Sequence, residues 1–513
     1  MSKSSTGLRW WPAGLVLGVA GLAIIWIRDR ADWSFQERNI GTLSTVLTAL
    51  VLLLIWWLTL SRAYWKARWV VAGCLLAALG TTLTLFRFRG VSGDLRPILE
   101  PRWAGHRTSG PASSGVGITR PTGSAYNFDF PQFLGPARNG QLAGPVLKRD
   151  WLASPPKIIW RHQIGSGWSG WAIVGGRAFT QEQQQGDNEC STCYDVLTGQ
   201  RLWSYAVSAH YASVIAGEGP RCTPTVASNR VFTLGATGAL TCLDPATGNR
   251  LWSRNIVEDA GSRVPEWGFA GSPLVYDRKV IVSAGGSADR SLLAYNIEKG
   301  EIIWHAGTRP VSYSSPSLAT LCGVRQVLAF NSRHITAHDA LSGQVLWEYP
   351  WGNGQPQVAA PVSIASNQVL FSSGYGVGSE LLDLIRNSEG NLTAKQVWRS
   401  VKMKAKFANL VQRDGYLYGL DDGVLACLEL KDGSQRWKEG RYGHGQGLLV
   451  GDLFLMMAEN GELVLLQPAP DRPHELNRFR VFSAKTWNPI ALAGELLLVR
   501  NDQEAACVKL AIQ

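Results

Sequence analysis

Several signatures of common protein classes are missing from this 513-residue chain. No long amphipathic helix pattern appears after residue 90, which argues against a helical fold for most of the chain. Neither an H-E-x-x-H helix nor a G-x-S-x-G turn occurs, and the string Gly-Trp-Ser-Gly at residues 167–170 lacks the second spacer. No helix pattern follows the glycine-rich residues 374–378, so they predict turns between strands and not a phosphate loop.

Positive charge is not concentrated in one part of the chain. The 50 Lys and Arg residues exceed the 39 Asp and Glu residues, which gives a formal net charge of +11. These basic residues are scattered through turns and the flanks of apolar segments, without a basic stripe interleaved with aromatic residues. We therefore expect a solvated surface and no nucleic-acid partner.

A repeat dominates what the sequence does contain: an acidic or amide residue, Gly four positions later, and Trp four positions after that. The first side chain can accept hydrogen bonds from the turn backbone, and the Gly supplies a positive φ before the next strand. One Trp per module suits a filler of the wedge between neighbouring sheets. The spacing therefore predicts a β-propeller. Its copies are Asp195/Gly199/Trp203, Asp244/Gly248/Trp252, Asn296/Gly300/Trp304, Asp339/Gly343/Trp347 and Glu429/Gly433/Trp437.

Counting modules predicts eight blades of four antiparallel strands over residues 157–513. Degenerate copies occur around residues 383–398 and 465–479, and a last copy lacks its outer strand. Residues 158–161 look like a Trp-bearing outer strand with no module before them, so we expect them to pair with C-terminal strands at residues 496–500 and 505–510. Such closure leaves no open sheet edge at the seam.

The cysteines invite a redox or metal interpretation, because Cys190 and Cys193 have C-x-x-C spacing. The repeat favours a structural interpretation instead. Cys193, Cys242 and Cys427 lie two residues before the motif acid, where other modules place Ala. That position needs a small buried side chain. A zinc site would need a second pair of ligands nearby, so we predict no metal site. A disulfide between Cys190 and Cys222 remains open.

Residues 1–89 contain three apolar runs, at residues 11–27, 40–60 and 69–86, each near the ~20 residues that span a bilayer. We predict three transmembrane helices in contact with membrane lipids. A cleaved signal peptide is the alternative for the first run. Tryptophans that flank the runs would form interfacial belts. They are Trp10, Trp11, Trp26, Trp56, Trp57, Trp65 and Trp69.

Basic residues flank both sides of these runs in equal number. One side has Lys3, Arg9, Arg62, Lys66 and Arg68, and the other has Arg28, Arg30, Arg38, Arg87 and Arg89. The loop at residues 61–68 has no acidic residue, whereas residues 28–39 have three, which favours a cytoplasmic N-terminus. Residues 90–127 are rich in Gly, Ser, Pro and Arg and predict a flexible tether. Its arginines and those just before it are candidates for contact with anionic lipid headgroups, namely Arg87, Arg89, Arg96 and Arg102.

The repeats at residues 194–199 and 242–248 resemble the A-x-D-x-x-T-G-x-x-x-W copies of the pyrroloquinoline-quinone-like (PQQ-like) propeller family, and the resemblance covers about residues 128–513. Residues 130–140 are similar to the W-P-x-F-R-G-P-x-R-x-G segment of bacterial members, with Phe and Leu replacing Trp and Arg. Residues 128–156 are therefore predicted to be a lead-in segment that packs beneath the propeller. The family includes quinoprotein dehydrogenases and the non-catalytic outer-membrane assembly factor BamB, and the resemblance implies a periplasmic propeller on a bacterial inner membrane.

Candidate ligand-binding residues precede the innermost strand of each module, because those strand starts converge on the mouth of the axial channel. Cations, amides and aromatic rings together suit an anionic or sugar-like ligand. The alternative is that these groups satisfy strand ends and hold channel water. The candidates are Trp168, Trp171, Arg221, Glu266, Trp267, Tyr313, Ser315, Gln357, Lys406, Asn409, Arg441, His444, Lys485, Trp487 and Asn488.

The resemblance implies pyrroloquinoline quinone with calcium as one possible cofactor for alcohol or sugar oxidation. In that version Glu266 is the base or metal ligand, Trp267 or Trp487 the stacking platform, and Arg221, Lys406 and Lys485 the carboxylate clamps. Against it, the adjacent cysteine pair of the dehydrogenases is absent. Glu266 is also the one acid among the candidates, whereas calcium asks for several oxygens. We therefore expect a membrane-anchored scaffold for a periplasmic protein or a small ligand, with a dehydrogenase as the alternative. Sensing is a third class, for which no kinase or effector segment is present.

Overall fold

The computed structural model describes residues 8–30, 33–103, 129–184 and 187–513. The chain divides into two compact units, Met1–Arg107 and Thr108–Gln513. Most of the predicted tether, residues 104–127, lies outside the described residues, as does Lys3 of the charge count.

Three helices form most of the first unit: α1 (Trp11–Asp29), α2 (Phe35–Thr59) and α3 (Trp65–Leu85). Each is long and apolar enough to cross a membrane, as predicted. Helix α2 begins before the apolar run because Ser34 and Glu37 form a capping box, in which each side chain accepts from the backbone N–H of the other. The polar first turn therefore extends the helix beyond the residues that hydrophobicity alone selects.

Directly after α3 the chain forms an antiparallel hairpin of two strands, β1 (Phe86–Val91) and β2 (Pro97–Pro101). This hairpin was not predicted, because its alternation of Phe and Arg is only four residues long. Arg87 lies opposite Glu100, and Arg87 Nη2 is 2.8 Å from Glu100 Oε2. A bulge between Phe88 and Gly90 shifts the register of the pair.

The second unit contains eight sheets with four antiparallel strands each, one of which gains a fifth, parallel strand, and this confirms the predicted eight-bladed propeller. Two strands come first: β3 (Gln141–Leu142) and β4 (Lys157–Gln163). Blade 1 is β5 (Ala172–Val174), β6 (Arg177–Gln184), β7 (Asn188–Asp195) and β8 (Arg201–Ser208), followed by a small hairpin of β9 (Ala212–Ser213) and β10 (Gly217–Glu218). Blade 2 is β11 (Thr225–Ala227), β12 (Arg230–Leu234), β13 (Ala239–Leu243) and β14 (Arg250–Asn255), followed by the short helix α4 (Ile256–Ala260).

The next three blades follow the same order. Blade 3 is β15 (Leu274–Tyr276), β16 (Lys279–Gly286), β17 (Arg290–Asn296) and β18 (Ile302–Ala306). Blade 4 is β19 (Ser317–Leu321), β20 (Val324–Asn331), β21 (His334–Asp339) and β22 (Val345–Pro350). Blade 5 is β23 (Val362–Ala365), β24 (Gln368–Ser373), β25 (Gly378–Arg386) and β26 (Leu392–Ser400), which is the first degenerate module.

The last three blades complete the circle. Blade 6 is β27 (Val411–Arg413), β28 (Tyr416–Asp421), β29 (Val424–Glu429) and β30 (Gln435–Arg441). Blade 7 is β31 (Gln446–Val450), β32 (Leu453–Met457), β33 (Glu462–Gln467) and β34 (His474–Arg480), which is the second degenerate module. Blade 8 is β35 (Ala491–Ala493), β36 (Leu496–Arg500), β37 (Glu504–Lys509) and β4. The predicted closure is confirmed, since Trp160 of β4 lies opposite Cys507 of β37.

The turn of the repeat forms as its chemistry predicts in four of the five copies. Asp195 Oδ1 accepts the backbone N–H groups of Leu197 at 3.1 Å and of Thr198 at 2.9 Å. Gly199 then adopts φ +68°, which turns the chain into the outer strand. The same side-chain bonds recur at Asp244, Asn296 and Asp339, and they precede Gly248, Gly300 and Gly343 with φ of +74°, +70° and +81°.

The fifth copy builds its turn differently. Gly433 adopts φ +70°, as the repeat predicts. The carboxylate of Glu429, however, lies 3.6 Å from the guanidinium of Arg436, and the turn N–H of Ser434 donates to Asp432 Oδ1 at 2.8 Å. Glutamate has one more methylene than aspartate, so its oxygens extend past the turn backbone. The prediction that the motif acid accepts the turn N–H groups is therefore wrong for Glu429.

A motif Trp joins its own blade to the next one by covering the motif Gly there. Trp203 of blade 1 covers Gly248 of blade 2, where an added Cβ would lie 2.5 Å from the indole ring. Between the later blades, an added Cβ would lie 2.7 Å from Trp252 at Gly300, 2.5 Å from Trp304 at Gly343 and 2.5 Å from Trp398 at Gly433. The Trp of one blade therefore packs directly on the motif Gly of the next blade.

The indole N–H of most of these tryptophans makes a second bond to the next blade. Nε1 of Trp203 donates to the carbonyl of Pro245, the residue after the motif acid, at 3.1 Å. Equivalent bonds join Trp160 to Val196, Trp252 to Ile297 and Trp398 to Leu430. Trp437 faces the degenerate blade 7 and donates to the carbonyl of Ala469 at 2.9 Å.

Two motif tryptophans fill the wedge without this second bond. Trp347 faces the degenerate blade 5, and its Nε1 donates at 2.8 Å to Gln326 Oε1 of its own blade. Trp304 covers Gly343, but its Nε1 is buried without a hydrogen-bond partner among the described residues. Both side chains are nonetheless buried, so the predicted wedge filling is confirmed and the bond to the neighbour is not universal.

The cysteines occupy the predicted small positions. Cys193, Cys242 and Cys427 lie directly opposite the motif Trp of their own blades and are fully buried. All eight cysteines of the chain are described and free, so Cys190 and Cys222 form no disulfide. The thiol of Cys222 donates instead to the carbonyl of Gly271 at 3.4 Å.

The lead-in segment runs across the propeller from blade 1 to blade 8. Its Phe130 bridges to Ile173 of blade 1, Gln141–Leu142 adds a parallel strand to blade 7, and Leu147 bridges to Ile512 beside blade 8. Between them, the buried Arg138 donates to the carbonyls of Ser272, Pro273 and Pro316, which precede the inner strands of blades 3 and 4. Burial lowers the pKa of Arg138 to about 9.

Candidate functional site

The segments that precede the inner strands meet at one end of the propeller, and short polar side chains join most of these segments to the next blade. Ser169 Oγ of blade 1 donates to the carbonyl of Cys222 at 2.7 Å. Ser272 Oγ of blade 3 accepts from the N–H of Thr223 at 2.9 Å, and the N–H of Ser272 donates to Ser315 Oγ at 2.9 Å.

The same arrangement continues through the other blades. Ser314 Oγ donates to the carbonyl of Ala359, Asn409 Oδ1 accepts from the N–H of Ala360, and Gln446 Nε2 donates to the carbonyl of Phe407. The N–H of Thr486 donates to the carbonyl of Glu459, and Asn488 Nδ2 donates to the carbonyls of Gly167 and Ser169. We call this circle, which links all eight blades, the polar ring.

Three of the predicted ligand-binding residues belong to the polar ring: Ser315, Asn409 and Asn488. Gln357 lies beside it, where its backbone N–H donates to Ser312 Oγ at 2.8 Å. The side chains of the three ring residues therefore join blades, which corresponds to the alternative interpretation given above for the polar candidates.

On the side of the mouth formed by blades 6, 7, 8 and 1, aromatic rings line the surface and a lysine packs against them. The centroids of Trp168 and Trp487 are 4.9 Å apart, and Lys485 Nζ lies 3.9 Å from the Trp487 ring and 4.8 Å from the Trp168 ring. Phe407 lies 5.1 Å from Trp487 and 5.4 Å from the imidazole of His444. Four predicted residues thus come together, with Phe407 as an unpredicted bridge.

Aromatic rings continue on the side of blades 3 to 5. Trp267 stacks on Tyr313 with centroids 5.3 Å apart and lies 6.4 Å from Tyr375 of the turn after β24. The buried Lys406 places Nζ 4.9 Å from the Tyr375 ring and 5.3 Å from the Phe407 ring. These contacts suit cation–π attraction between lysine and the two rings. We call the whole set of rings the aromatic mouth; its members are Trp168, Trp267, Tyr313, Tyr375, Phe407 and Trp487.

Arg221 holds the small hairpin of β9 and β10 against the mouth. Its guanidinium donates to the carbonyls of Ala216 at 3.0 Å and Gly217 at 2.9 Å, and also to that of Gly219. It lies 4.4 Å from the ring of Tyr211. Burial lowers the pKa of Arg221 to about 10. This arginine is therefore engaged by the protein backbone.

Three predicted residues lie apart from the aromatic mouth. Glu266 is exposed to solvent, and its backbone carbonyl accepts a hydrogen bond from the Tyr211 hydroxyl. Arg441 ends the outer strand β30 and is also exposed, so it does not begin an inner strand as expected. Trp171 is buried in the core between blades 8 and 1, edge-on to Tyr194.

A family model described as outer membrane protein assembly factor BamB matches residues 151–265 and 187–439. The two matches together run from 151 to 439, which is 289 of the 513 residues and more than half of the chain. The chain belongs to this family of PQQ-like propellers. A search of curated protein sequences gave no match.

Solved structures share the PQQ-like fold at low sequence identity. The quinohemoprotein alcohol dehydrogenase from Comamonas testosteroni superposes with a TM-score of 0.55 and 13% identity, over 75% of this chain and 81% of that one. The quinohemoprotein alcohol dehydrogenase ADHIIG from Pseudomonas putida HK5 gives a TM-score of 0.52 and 12% identity, over 75% and 80%. BamB from Moraxella catarrhalis gives 0.48 and 14%, over 69% and 97%. The two dehydrogenase matches support the fold alone.

The residues of this PQQ-like mouth do not fit the quinone with its calcium ion. Calcium needs several carboxylate or carbonyl oxygens. Among the described residues, no group of three His, Cys, Asp or Glu side chains could hold a metal ion. The carboxylate of Glu459 receives Trp487 Nε1 at 3.1 Å and the N–H of His444 at 2.9 Å, and Arg221 binds backbone carbonyls. The Glu459 carboxylate and the Arg221 guanidinium are thus engaged within the protein.

The sequence analysis missed acidic residues at this end of the PQQ-like propeller, among them Glu459, Glu189 and Asp422. Glu459 lies in the turn between β32 and β33, and the aromatic Tyr375 lies in the corresponding turn of blade 5. In a four-stranded antiparallel blade, the turn between the second and third strands is at the same end as the start of the first. A search that included the turns between the second and third strands would have found Glu459 and Tyr375.

The second missed acid is Glu189 on β7, which is buried where blade 1 faces blade 2. Its Oε1 accepts the N–H of Ala236 at 3.1 Å, while Oε2 is buried without a partner among the described residues. Burial raises the pKa of Glu189 to about 7, although the Ala236 N–H and the charge of Arg221 act in the opposite direction. The folded protein therefore holds this carboxyl largely protonated below neutral pH.

Glu189→Gln tests this protonation. The folded pKa of about 7 lies above the ordinary value of 4.5, so the carboxyl favours folding most below pH 4.5, and that contribution is lost as the pH rises through 7. We expect the wild type to lose roughly 2–3 kcal/mol relative to the variant between pH 5 and pH 8. Urea unfolding at several pH values measures the difference. The exposed Glu266→Gln is the control, and equal slopes for the two variants would contradict the expectation.

Proposed function

We propose that this protein is a non-catalytic, membrane-anchored binding scaffold, with three helices in a bacterial inner membrane and the propeller in the periplasm. Membership in the PQQ-like family with a BamB-type model supports the scaffold class. The three apolar helices support the anchor. The basic loop at residues 61–68, which has no acidic residue, supports a cytoplasmic N-terminus and thereby an external propeller.

The observation that carries the proposal is the state of the polar groups at the mouth. In the polar ring, Asn409 Oδ1 and Asn488 Nδ2 bind backbone groups of neighbouring blades. Three backbone carbonyls accept from Arg221, and the Glu459 carboxylate accepts from Trp487 and His444. What the mouth presents to solvent is mainly five half-buried aromatic rings, since Trp168 is buried. Such rings supply binding area at low entropic cost and recur at protein interfaces. The mouth therefore suits recognition of a protein side chain or a small ligand better than chemistry.

Titration of the full-length protein in detergent with pyrroloquinoline quinone and calcium separates a scaffold from a dehydrogenase. We expect no saturable change in quinone absorbance and no shift of the unfolding midpoint up to millimolar ligand. Ligand at a hundred times its dissociation constant would add about 2.7 kcal/mol, which is readily measured. A saturable shift that is abolished by Arg221→Ala and Glu266→Gln would replace the scaffold with a quinoprotein dehydrogenase.

A photo-crosslinking amino acid tests binding at the mouth directly in cells. Placed at Trp267, on the aromatic mouth, it is expected to give a discrete adduct with one periplasmic or membrane protein. Lys395, exposed on the outer strand β26 of blade 5, is the matched control position and should give none. Equal labelling at both positions, or adducts at Lys395 alone, would place the partner surface elsewhere on the propeller.

A further inference from the structure

The hairpin of β1 and β2 has two chemically different faces. Side chains alternate along each strand, and the register places Phe88 opposite Leu99 and Arg87 opposite Glu100. Phe88 and Leu99 therefore share one face, and Arg87 and Glu100 share the other. The hairpin is amphipathic with a period of two residues.

The apolar face is left open to solvent within its own unit. Phe88 is 52% exposed and Leu99 is 54% exposed. Trp103, 65% exposed, extends this surface by packing its ring 5.6 Å from that of Phe86. Exposed aromatic and aliphatic side chains grouped in this way mark a contact surface for apolar material.

The opposite face carries arginine with little acid to balance it. Residues 86–103 contain four arginines and two acids, a net charge of +2. Arg87 and Arg89 share one carboxylate, that of Glu100, at 2.8 Å and 3.6 Å. Arg96 lies 5.1 Å from the ring of Phe35, at the start of α2. The arginines are thus oriented by protein contacts, and they outnumber the acids of this segment by two.

The position of the hairpin is fixed by covalent continuity with α3. That helix ends at Leu85, the hairpin starts at the next residue, and the N–H of Arg102 donates back to the carbonyl of Leu85 at 2.7 Å. Asn39 of α2 also donates its side-chain N–H to the carbonyl of Asp94 in the hairpin turn at 3.0 Å. If α3 crosses a bilayer, the hairpin must therefore lie at the level of the lipid headgroups.

We propose that this hairpin is a lipid-binding element, with Phe88, Leu99 and Trp103 inserted at the boundary between headgroups and acyl chains and Arg87 and Arg89 binding the phosphates of anionic phospholipids. The chemistry is that of an interfacial amphipathic element, built here from two strands. Arginine suits phosphate because its planar fork can donate two parallel hydrogen bonds. The inference rests on the proposed membrane anchor.

Nitroxide labels on the full-length protein in phosphatidylglycerol-containing nanodiscs test the insertion. Native Cys74, exposed on α3, reports whether that helix lies in the bilayer, in a Cys322→Ser background that removes the other accessible thiol. Phe88→Cys and Leu99→Cys should be accessible to oxygen and shielded from a water-soluble nickel relaxer. Ile98→Cys, whose side chain lies on the other face, should show the reverse. A shielded Cys74 with water-exposed labels at 88 and 99 would overturn the hairpin inference, whereas a water-exposed Cys74 would overturn the anchor itself.

Lipid retention measured by native mass spectrometry tests the arginine face. We expect the wild type, released from mixed nanodiscs, to retain phosphatidylglycerol in preference to phosphatidylcholine. Each arginine near an anionic surface contributes about a fivefold preference, so Arg87→Gln with Arg89→Gln should reduce it by roughly tenfold or more. Lys395→Gln, on the outer strand β26 of the propeller, is the control. An unchanged preference in the double variant, or an equal loss in the control, would contradict the proposal.

Discussion

Replacing Gly248 by Ala is expected to lower the free energy of unfolding by about 3–5 kcal/mol, because two costs add at this position. The residue has φ +74°, where a side chain is strained. A new Cβ would also lie 2.5 Å from the Trp203 ring, and that ring is held in place by its bond to Pro245. Neither blade can move without breaking the contact. Urea unfolding of the full-length protein measures the effect.

Gly323 provides a control that separates the two costs. Its φ of +76° matches that of Gly248, but an added Cβ would meet no atom within 4 Å. Gly323→Ala should therefore show the backbone strain alone, about 1 kcal/mol. Equal losses for the two variants would mean that the Trp of one blade does not constrain the turn of the next.

Replacing Arg500 by Met is expected to cost about 3 kcal/mol or more, since it removes a buried donor that joins blade 8 to blade 1. The fully buried guanidinium donates to Thr180 Oγ1 and to the carbonyls of Gln181 and Gly165, each at 2.8 Å. Met fills part of the volume but removes the donor from the carbonyls of Gln181 and Gly165, whereas Thr180 Oγ1 keeps its bond to the carbonyl of Gly170. Each buried carbonyl that loses its donor costs about 1–3 kcal/mol.

Arg480→Met is the matched control for Arg500. Arg480 lies on the outer strand of blade 7 and pairs with Glu462 at 2.7 Å, with about half of its side chain exposed. An exposed pair of this kind contributes at most about 1 kcal/mol. Urea midpoints for both variants decide the comparison, and similar shifts would show that the junction of the last and first blades does not depend on Arg500.

The fold was predictable because the repeat encodes a contact as well as a turn. Asp195 and Gly199 specify the turn, and Trp203 with Gly248 specifies how neighbouring blades touch, so five copies are enough to place the degenerate ones. The hairpin of Phe86–Val91 and Pro97–Pro101 was missed because it is held by a single pairing of two short strands, with no repeat to reveal it.

The repeat predicts where a side chain lies more reliably than what it bonds. Trp304 and Trp347 fill their wedges as expected, yet neither indole N–H donates to the next blade in the described structure. Glu429 occupies the motif position but pairs with Arg436 and leaves the turn N–H to Asp432. Spacing fixes the backbone, whereas a hydrogen bond also depends on side-chain length and on the neighbouring blade.

The site was predictable only in part, because sequence position gives the end of a strand but not the partner of a side chain. Trp168, Lys485 and Trp487 were correctly expected at one mouth. Asn409 and Asn488 have the same sequence context, yet their amides bind the backbone of a neighbouring blade. Glu459 and Asp422, in the turns between the second and third strands of their blades, were not expected at this end of the propeller.

The pairing of β4 with β37 sets a time order for making this protein. Lys157 pairs with Lys509, so β4 finds its partner only after the strands of the seven intervening blades have been made. Until then seven blades form an open arc, and β4 keeps a bare strand edge. Pairing across so large a sequence separation is slow to form. The partly synthesised propeller is therefore the state in which this protein is most prone to associate wrongly with other chains. A truncation that removes Glu504–Lys509 would keep the propeller in that open state.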